Sequence, residues 1–421
     1  MDPVIVVGGG AAGIIAAWRS AGLRAPTLLL EKNERLGIKL HISGGGKCNI
    51  THAGRMHDIR MAFEPNEARF LRLPFLRFTN EDVLALLHER GVETYTRPDG
   101  RIFPVSGRAE DVVEALAWHA GHAGAEIRCG SVVERLEAAG GKVHGIWMQG
   151  RSHRASAVIL ATGGVSYPKT GTTGEGLRWA RELGHSLVPL RAALAPIYLD
   201  PAPPADWSGV AVRDCLLRAR AGGKVISRWR SDLLFTHKGI SGPTALGVSR
   251  DVALALEHGP ATLDADLLPD RPPEDLAAEL TSAEHRAARR GVRSLLDAWL
   301  PNRIVPAILA RAGVDPTTPL HQLPRPARNR LIETLKGWPL GAVRAVPLER
   351  GEVTAGGVSL DEVDPATMAS RNVPGLYLCG EILDIAGPVG GYNLQAAFST
   401  GYLAGEGALR FNVKCQMSNV K

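Results

Sequence analysis

The stretch Val4-Ile5-Val6-Val7-Gly8-Gly9-Gly10-Ala11-Ala12-Gly13, a run of small residues after it, and then Leu28-Leu29-Leu30-Glu31 decide the fold. An apolar strand runs into glycines, a small-residue helix follows, and a second apolar strand ends on an acid, so the segment reads as β-turn-α-β. Gly8, Gly10 and Gly13 occupy the three positions of G-x-G-x-x-G. The first makes the tight turn, the second lets backbone approach a pyrophosphate, and the third brings helix close to strand. The N–H groups opening the helix, about Ala11 to Gly13, carry the positive end of its dipole and suit a diphosphate. Glu31 comes eighteen residues after Gly13, near the spacing of ~20 expected for a carboxylate on an adenosine ribose with a free 2′-hydroxyl.

At 421 residues the chain is longer than the ~250–300 a single core supports, so two or three domains are expected. Hydrophobic content of 45% and a mean hydropathy of −0.03 are ordinary for a globular chain, and no apolar run reaches the ~18 residues of a membrane span. The N-terminus enters a strand without a basic leader, so a cytoplasmic address and no membrane are expected. The five cysteines (Cys48, Cys129, Cys215, Cys379, Cys415) are scattered and never in C-x-x-C. They argue against a disulfide framework or a metal site. The net charge of +6 is spread as Arg singles and pairs, without blocks or aromatic interleaving. No nucleic acid is expected on that ground, and the series Arg290, Arg293, Arg303 and Arg311 reads as a solvated helix face.

A second glycine run, His41-Ile42-Ser43-Gly44-Gly45-Gly46-Lys47-Cys48-Asn49, strips side chains where something flat or charged can lie on backbone and ends in three polar groups. Helical spacing covers 66–90, and Gly91–Tyr95 with Arg101–Phe103 form a hairpin about Pro98-Asp99-Gly100. Ala125–Arg128, Ser131–Leu136 and Val143–Met148 read as a small meander. Ala157–Leu160 is continuously apolar, as in a parallel sheet covered on both faces, and runs into Ala161-Thr162-Gly163-Gly164. The turn Thr170–Gly176 lacks a βαβ unit, so it is not read as a nicotinamide site. From Pro189 to about Pro269 short β-like runs alternate with turns, and 273–336 has helical spacing broken at Pro301 and Pro316. The front domain resumes at Val353. Asn372–Glu381 is a turn and a buried strand ending in Gly-Glu, and a helix follows Gly390-Gly391-Tyr392, with Asn393 expected as its N-cap.

These residues resemble FAD enzymes of the glutathione-reductase type. Ser43–Thr51 (SGGGKCNIT), Phe235–Pro243 (FTHKGISGP) and Gly380–Gln395 (GEILDIAGPVGGYNLQ) are similar to the BaiN/YhiN-like, aminoacetone-oxidase-type flavoproteins over nearly the whole chain. Lys47 stands where Arg is more usual, and the tail from Phe411 matches nothing. The resemblance implies an α/β fold: a discontinuous Rossmann-like FAD domain (1–189 and 346–410), an inserted β-barrel-like domain (190–270 and 337–345), a helical subdomain (271–336) and a tail (411–421). It implies that Gly8, Gly10, Ala11, Ala12 and Gly13 hold the pyrophosphate and Glu31 the ribose. Lys32, Gly37 and Lys39 then lie beside the nucleotide, and Val133 meets the adenine through its backbone. Ser43, Gly44, Gly45, Gly46, Cys48 and Asn49 run along the flavin, and Ala161, Thr162 and Gly163 lie near the adenosine half. Gly380, Glu381 and Asp384 fall by the ribitol, and Gly391, Tyr392 and Asn393 aim a helix N-terminus at the flavin's pyrimidine edge, where reduced flavin carries negative charge.

The expected activity is FAD-dependent oxidation or reduction of a small organic substrate by hydride transfer at flavin N5, in a pocket between flavin and insert. No catalytic residue is assigned; His237, Lys238 and Cys48 are the polar candidates. NAD(P)H, lacking a second fingerprint, is expected to bind only transiently. Two other readings stay open: an FAD-dependent tRNA-modifying enzyme and a non-catalytic flavin-binding protein.

Overall fold

Four short apolar strands, each too hydrophobic to tolerate a wet face, and one polar edge strand lie side by side. A computed structural model of the protein describes residues 2–286 and 291–418. In it the strands lie in the order Leu376–Leu378, Ala157–Leu160, Val4–Val7, Thr27–Leu30, Glu126–Arg128, and all are parallel. The central three are wholly buried, because helices cover both faces of a parallel sheet. Val4 faces Thr27 on one side and Ala157 on the other, so the ends of the central strands, Val7, Leu30 and Leu160, are level. Ligands of such sheets bind beyond these carboxyl ends.

The front helix (Ala11–Gly22) packs against the closing helix (Tyr392–Ser418) almost backbone to backbone. The contact uses glycine: a Cβ on Gly401 would stand 2.2 Å from the Ala12 carbonyl oxygen, and one on Gly405 2.4 Å from that of Ala16.

The chain forms two compact units, 1–190 with 352–421, and 191–351. The second is a closed barrel of six antiparallel strands, in the order Ile197–Asp200, Gly239–Ser241, Lys224–Thr236, Ala211–Ala221, Ala261–Asp266, Trp338–Ala345. Its helices Pro273–Arg286, Val292–Leu296, Val305–Ala312 and Arg325–Lys336 share the barrel's hydrophobic core through residues such as Leu276, Leu296, Ile308 and Leu331. No helix among the described residues is long and apolar enough to cross a membrane.

Four expectations change. Ala125–Arg128 does not belong to the meander: Glu126–Arg128 is the edge strand of the parallel sheet, and the meander's third strand is Arg151–Arg154. Edge strands are half wet and therefore less apolar, which hid this one. The short β runs after Pro189 merge into two long strands whose polar outer residues had looked like breaks. Pro243–Leu256, within the stretch expected to alternate short β-like runs with turns, is a helix with proline in its first turn. The closing helix continues to Ser418, through what was set aside as a tail; residues 419–421 and Arg290 lie outside the described residues.

Candidate functional site

Gly8 adopts φ +107°, and a Cβ there would sit 2.5 Å from the Ala161 carbonyl oxygen. A Cβ on Gly13 would come within 1.8 Å of the Gly8 oxygen, so both positions are closed by packing. Gly10 is different: its Cβ would meet nothing within 4 Å. It is also the N-cap of the front helix, which no side chain caps. A glycine with open space at an uncapped helix N-terminus leaves room where an anion binds. Glu31, buried at the tip of the second strand, accepts hydrogen bonds from Gly9 N–H at 2.7 Å and from the backbone and side chain of Asn33 at 2.9 and 2.7 Å. These donors fix its carboxylate beside the glycine turn.

Around this point the structure gathers most of the sequence-derived candidates into one unit. Ala161 N–H bonds Val7 O, Gly163 turns at φ +73°, and Thr162 Oγ1 is buried without a hydrogen-bond partner among the described residues. Lys32 reaches Thr173 and Glu175, each at 2.7 Å. Gly37 donates to Gly9 O, and its left-handed φ of +67° starts the short helix that carries Lys39. Lys39 Nζ donates to Ser166 Oγ at 2.6 Å and to both Glu381 oxygens at 2.8 and 2.6 Å. Glu381 also accepts from Ser166 Oγ and from Thr354 N–H. Gly380 touches Ala12 where a Cβ would stand 2.8 Å from the alanine's own, which ties the Gly-Glu turn to the front helix. Asp384 accepts from Gly356 N–H at 3.0 Å.

At the start of the closing helix, Gln395 N–H bonds Gly391 O, so Gly391 is the N-cap rather than Asn393. Asn393 lies one residue inside the helix and ties the preceding loop instead, accepting from Gly387 N–H and donating to Gly387 O. Asn49, with its amide oriented to match its neighbours, accepts from Gly391 N–H at 2.9 Å and joins the second glycine run to this helix start. Tyr392 stacks on His52 at 4.8 Å between ring centroids.

Ser43–Gly46 forms one tight turn in which Gly44 and Gly45 are left-handed, and Gly44, Gly45 and Gly46 are exposed. Cys48 is fully buried, and burial pushes its thiol up to about 12, so it packs and offers no thiolate. Val133 opens the meander and has no side-chain bond to this group. His237 and Lys238 turn between two barrel strands in the second unit, where Lys238 lies 5.4 Å from the Tyr198 ring centroid. Sequence reasoning missed Ser166, Thr354 and His52. A signal existed for Thr354, which lies inside the apolar run Val353–Val358.

A strand-turn-helix with an open glycine, a strand-tip carboxylate and a late Gly-Glu turn locked to the same helix thus stand together in one unit, and a family model for HI0933-like Rossmann-domain proteins matches residues 2–407. The chain belongs to the HI0933-like family. This is the group the three sequence motifs resemble, and the Rossmann domain of its description fits the parallel sheet described above. The 3-dehydro-bile acid delta(4,6)-reductase of Clostridium scindens is 32% identical over 412 residues, covering 97% of this chain and 99% of that protein. The ribosomal RNA dihydrouridine synthase of Escherichia coli is 30% identical over 402 residues, covering 94% and 96%. A 3-ketosteroid-Δ4-(5α)-dehydrogenase from Rhodococcus jostii RHA1 has the same fold, with a TM-score of 0.51 at 18% identity over 96% of each chain.

Proposed function

We propose that this HI0933-like protein is an FAD-dependent oxidoreductase that saturates a carbon–carbon double bond conjugated to a carbonyl. The observation that carries the reading is the near-full-length similarity to two reductases whose acceptors share that group. A 3-oxo-Δ4,6 bile acid is a dienone, and the 5,6 bond of uracil is conjugated to its 4-carbonyl. Such a bond accepts hydride at the carbon remote from the carbonyl and a proton at the nearer one. FAD, when bound, supplies the hydride chemistry. This chain's share is to hold the cofactor through Gly10, the N–H groups of Ala11 to Gly13 and Glu31, to bind the substrate and to place a proton. The start of the closing helix, after Gly391, supplies a dipole that favours a negatively charged reduced cofactor, an effect of ~0.3–1 kcal/mol. The turn Thr170–Gly176 leads into a helix, but the strand after it, Leu187–Ala193, pairs with Val353–Val358 outside the parallel sheet. A nicotinamide donor therefore binds transiently, without a domain of its own.

A second reading, a uracil base within RNA as the acceptor, is favoured by the charge distribution. Residues 191–351 hold 22 Lys and Arg against 17 Asp and Glu, whereas the rest of the chain holds 27 against 26. Heat release of the bound cofactor, followed by anaerobic reoxidation of the reduced protein with a 4-en-3-one steroid and with unmodified ribosomal RNA, tests both readings. FAD and a product heavier by two hydrogens are expected. FMN, or reoxidation by neither acceptor, overturns the proposal, and RNA retention that falls steeply with salt selects the second reading.

A further inference from the structure

We infer that the groove between two helices of the second unit, Pro273–Arg286 and Arg325–Lys336, is a docking site for the phosphodiester backbone of a single RNA strand. The inference rests on the second reading above, in which the acceptor is a uracil base within RNA, and names the surface that holds the strand.

The positive charge of this unit is not spread evenly. Residues 271–336 hold 11 Lys and Arg against 7 Asp and Glu, which is four of the chain's six net positive charges. The barrel stretches of the same unit, 191–270 and 337–351, hold 11 against 10. The excess therefore belongs to the helices. Several of their basic groups are used inside the fold: Arg271 pairs with Glu279 at 3.0 Å, Lys336 pairs with Asp266 at 2.7 Å, and Arg330 donates to Ala312 O at 3.0 Å.

The groove is built from others. A cavity of about 530 Å³ is lined by Ala277, Ala278, Thr281, Arg325, Arg328 and Asn329. Positions 277, 278 and 281 share one face of the first helix, and 325, 328 and 329 one face of the second. The two alanines keep the first wall low and leave room. Thr281 gives its proton to Ala277 O at 2.8 Å and accepts from Arg328 at 2.7 Å, so it serves to hold the Arg328 guanidinium in the wall. Arg325 is exposed and has no hydrogen bond or ion pair among the described residues. It opens a helix of 12 residues whose start no side chain caps, so the positive end of the helix dipole adds to the two guanidinium groups. No carboxylate stands in the lining.

Guanidinium forks match the paired oxygens of a phosphate. The lining has no aromatic side chain on which a base could stack, so the groove takes the backbone and positions the strand without reading its sequence. A base that is to receive hydride has to leave its stack, so the strand that carries it is single at that point.

Binding of the flavin-loaded full chain to a labelled oligoadenylate and to unmodified ribosomal RNA, followed by fluorescence anisotropy over a salt series, tests the site. Oligoadenylate contains no uracil and reports docking apart from turnover. The wild type should bind both, more weakly as salt rises. Arg325→Ala breaks no bond within the described residues and should make the slope of log K against log salt shallower by ~0.7, the value of one phosphate contact on a single strand. Arg325→Ala/Arg328→Gln, which keeps a donor for Thr281, should make it shallower by ~1.4. Lys224→Ala/Arg228→Ala removes two exposed charges from a barrel strand and should leave the slope unchanged. All three variants should melt like the wild type and keep its flavin content. An unchanged slope in Arg325→Ala, an equal loss in the barrel variant, tighter binding of poly-glutamate than of oligoadenylate at equal charge, or a wild type that binds neither RNA overturns the inference. A wild type that binds both RNAs, but whose reduced flavin ribosomal RNA does not reoxidise, overturns the second reading and leaves the docking site standing.

Discussion

Three glycines of one turn carry different duties, and only their neighbours separate them. Gly10→Val adds a side chain to open space, so the protein should fold with unchanged stability, within ~0.5 kcal/mol, and lose its flavin. A folded Gly10→Val protein with full flavin content would refute the placement of the diphosphate. Gly13→Ala places a Cβ 1.8 Å from the Gly8 oxygen, and an overlap of this kind costs ~1–3 kcal/mol or more; chemical denaturation should show the loss with or without cofactor. Among the cysteines, Cys48, Cys215 and Cys379 are buried and burial raises each thiol, whereas Cys129 is exposed. Alkylation of the native protein followed by peptide mapping should label Cys129 and leave these three until unfolding; early labelling of Cys48 would contradict its buried position. The identity of these residues was legible in the sequence, but the contact that gives each its duty was not, because Ala161 and Gly8 are far apart in the chain.

At the level of elements, a buried imidazole joins three segments that the sequence leaves unrelated. His185 faces Glu362 at 2.9 Å and Ser370 at 2.8 Å, and Glu362 also accepts from Ser186 N–H at 2.9 Å. The arrangement has the spacing of a nucleophile and base, but Ser370 Oγ also accepts from Asn372 and Val373 N–H. Its proton and lone pairs are all engaged, so it is a clamp. Ser370→Ala leaves buried His185 short of a partner and should cost ~1–3 kcal/mol. Burial raises the Glu362 pKa, but hydrogen bonds from Ser186 and His185 outweigh it and the net shift is downward. A depressed folded pKa means that the stabilisation is present above the unfolded value of ~4.3 and fades as pH falls through the folded one. Denaturation of wild type and Glu362→Gln should therefore converge on acidification; a gap that widens would reverse the sign. No periodicity signals this clamp, since it depends on three loops meeting.

For the whole molecule, the two units have separate hydrophobic cores, one around the parallel sheet and one around the barrel with its helices. Residues 191–351 form a continuous stretch with their own core, so expressed alone they should fold cooperatively and bind no flavin. Non-cooperative melting of that fragment would show that its core depends on the rest of the chain. In the full protein, bound FAD should stabilise the unit of residues 1–190 and 352–421 by mass action, about 4 kcal/mol at a thousandfold excess over Kd.

The sequence by itself determined the parallel nucleotide-binding sheet, because buried strands must be continuously apolar and the glycine turn has a fixed spacing. It determined the front helix and the Gly-Glu turn for the same local reasons, and the three motifs carried the family. Only the tertiary structure decided that Glu126–Arg128 edges the sheet, that Asn49 rather than Asn393 serves the closing helix, and that Lys39, Ser166, Thr354 and Glu381 meet. Local signals report what a residue prefers over a few neighbours. Pairing at a sheet edge, donors to a helix start and the partners of a carboxylate depend on segments far away in the chain.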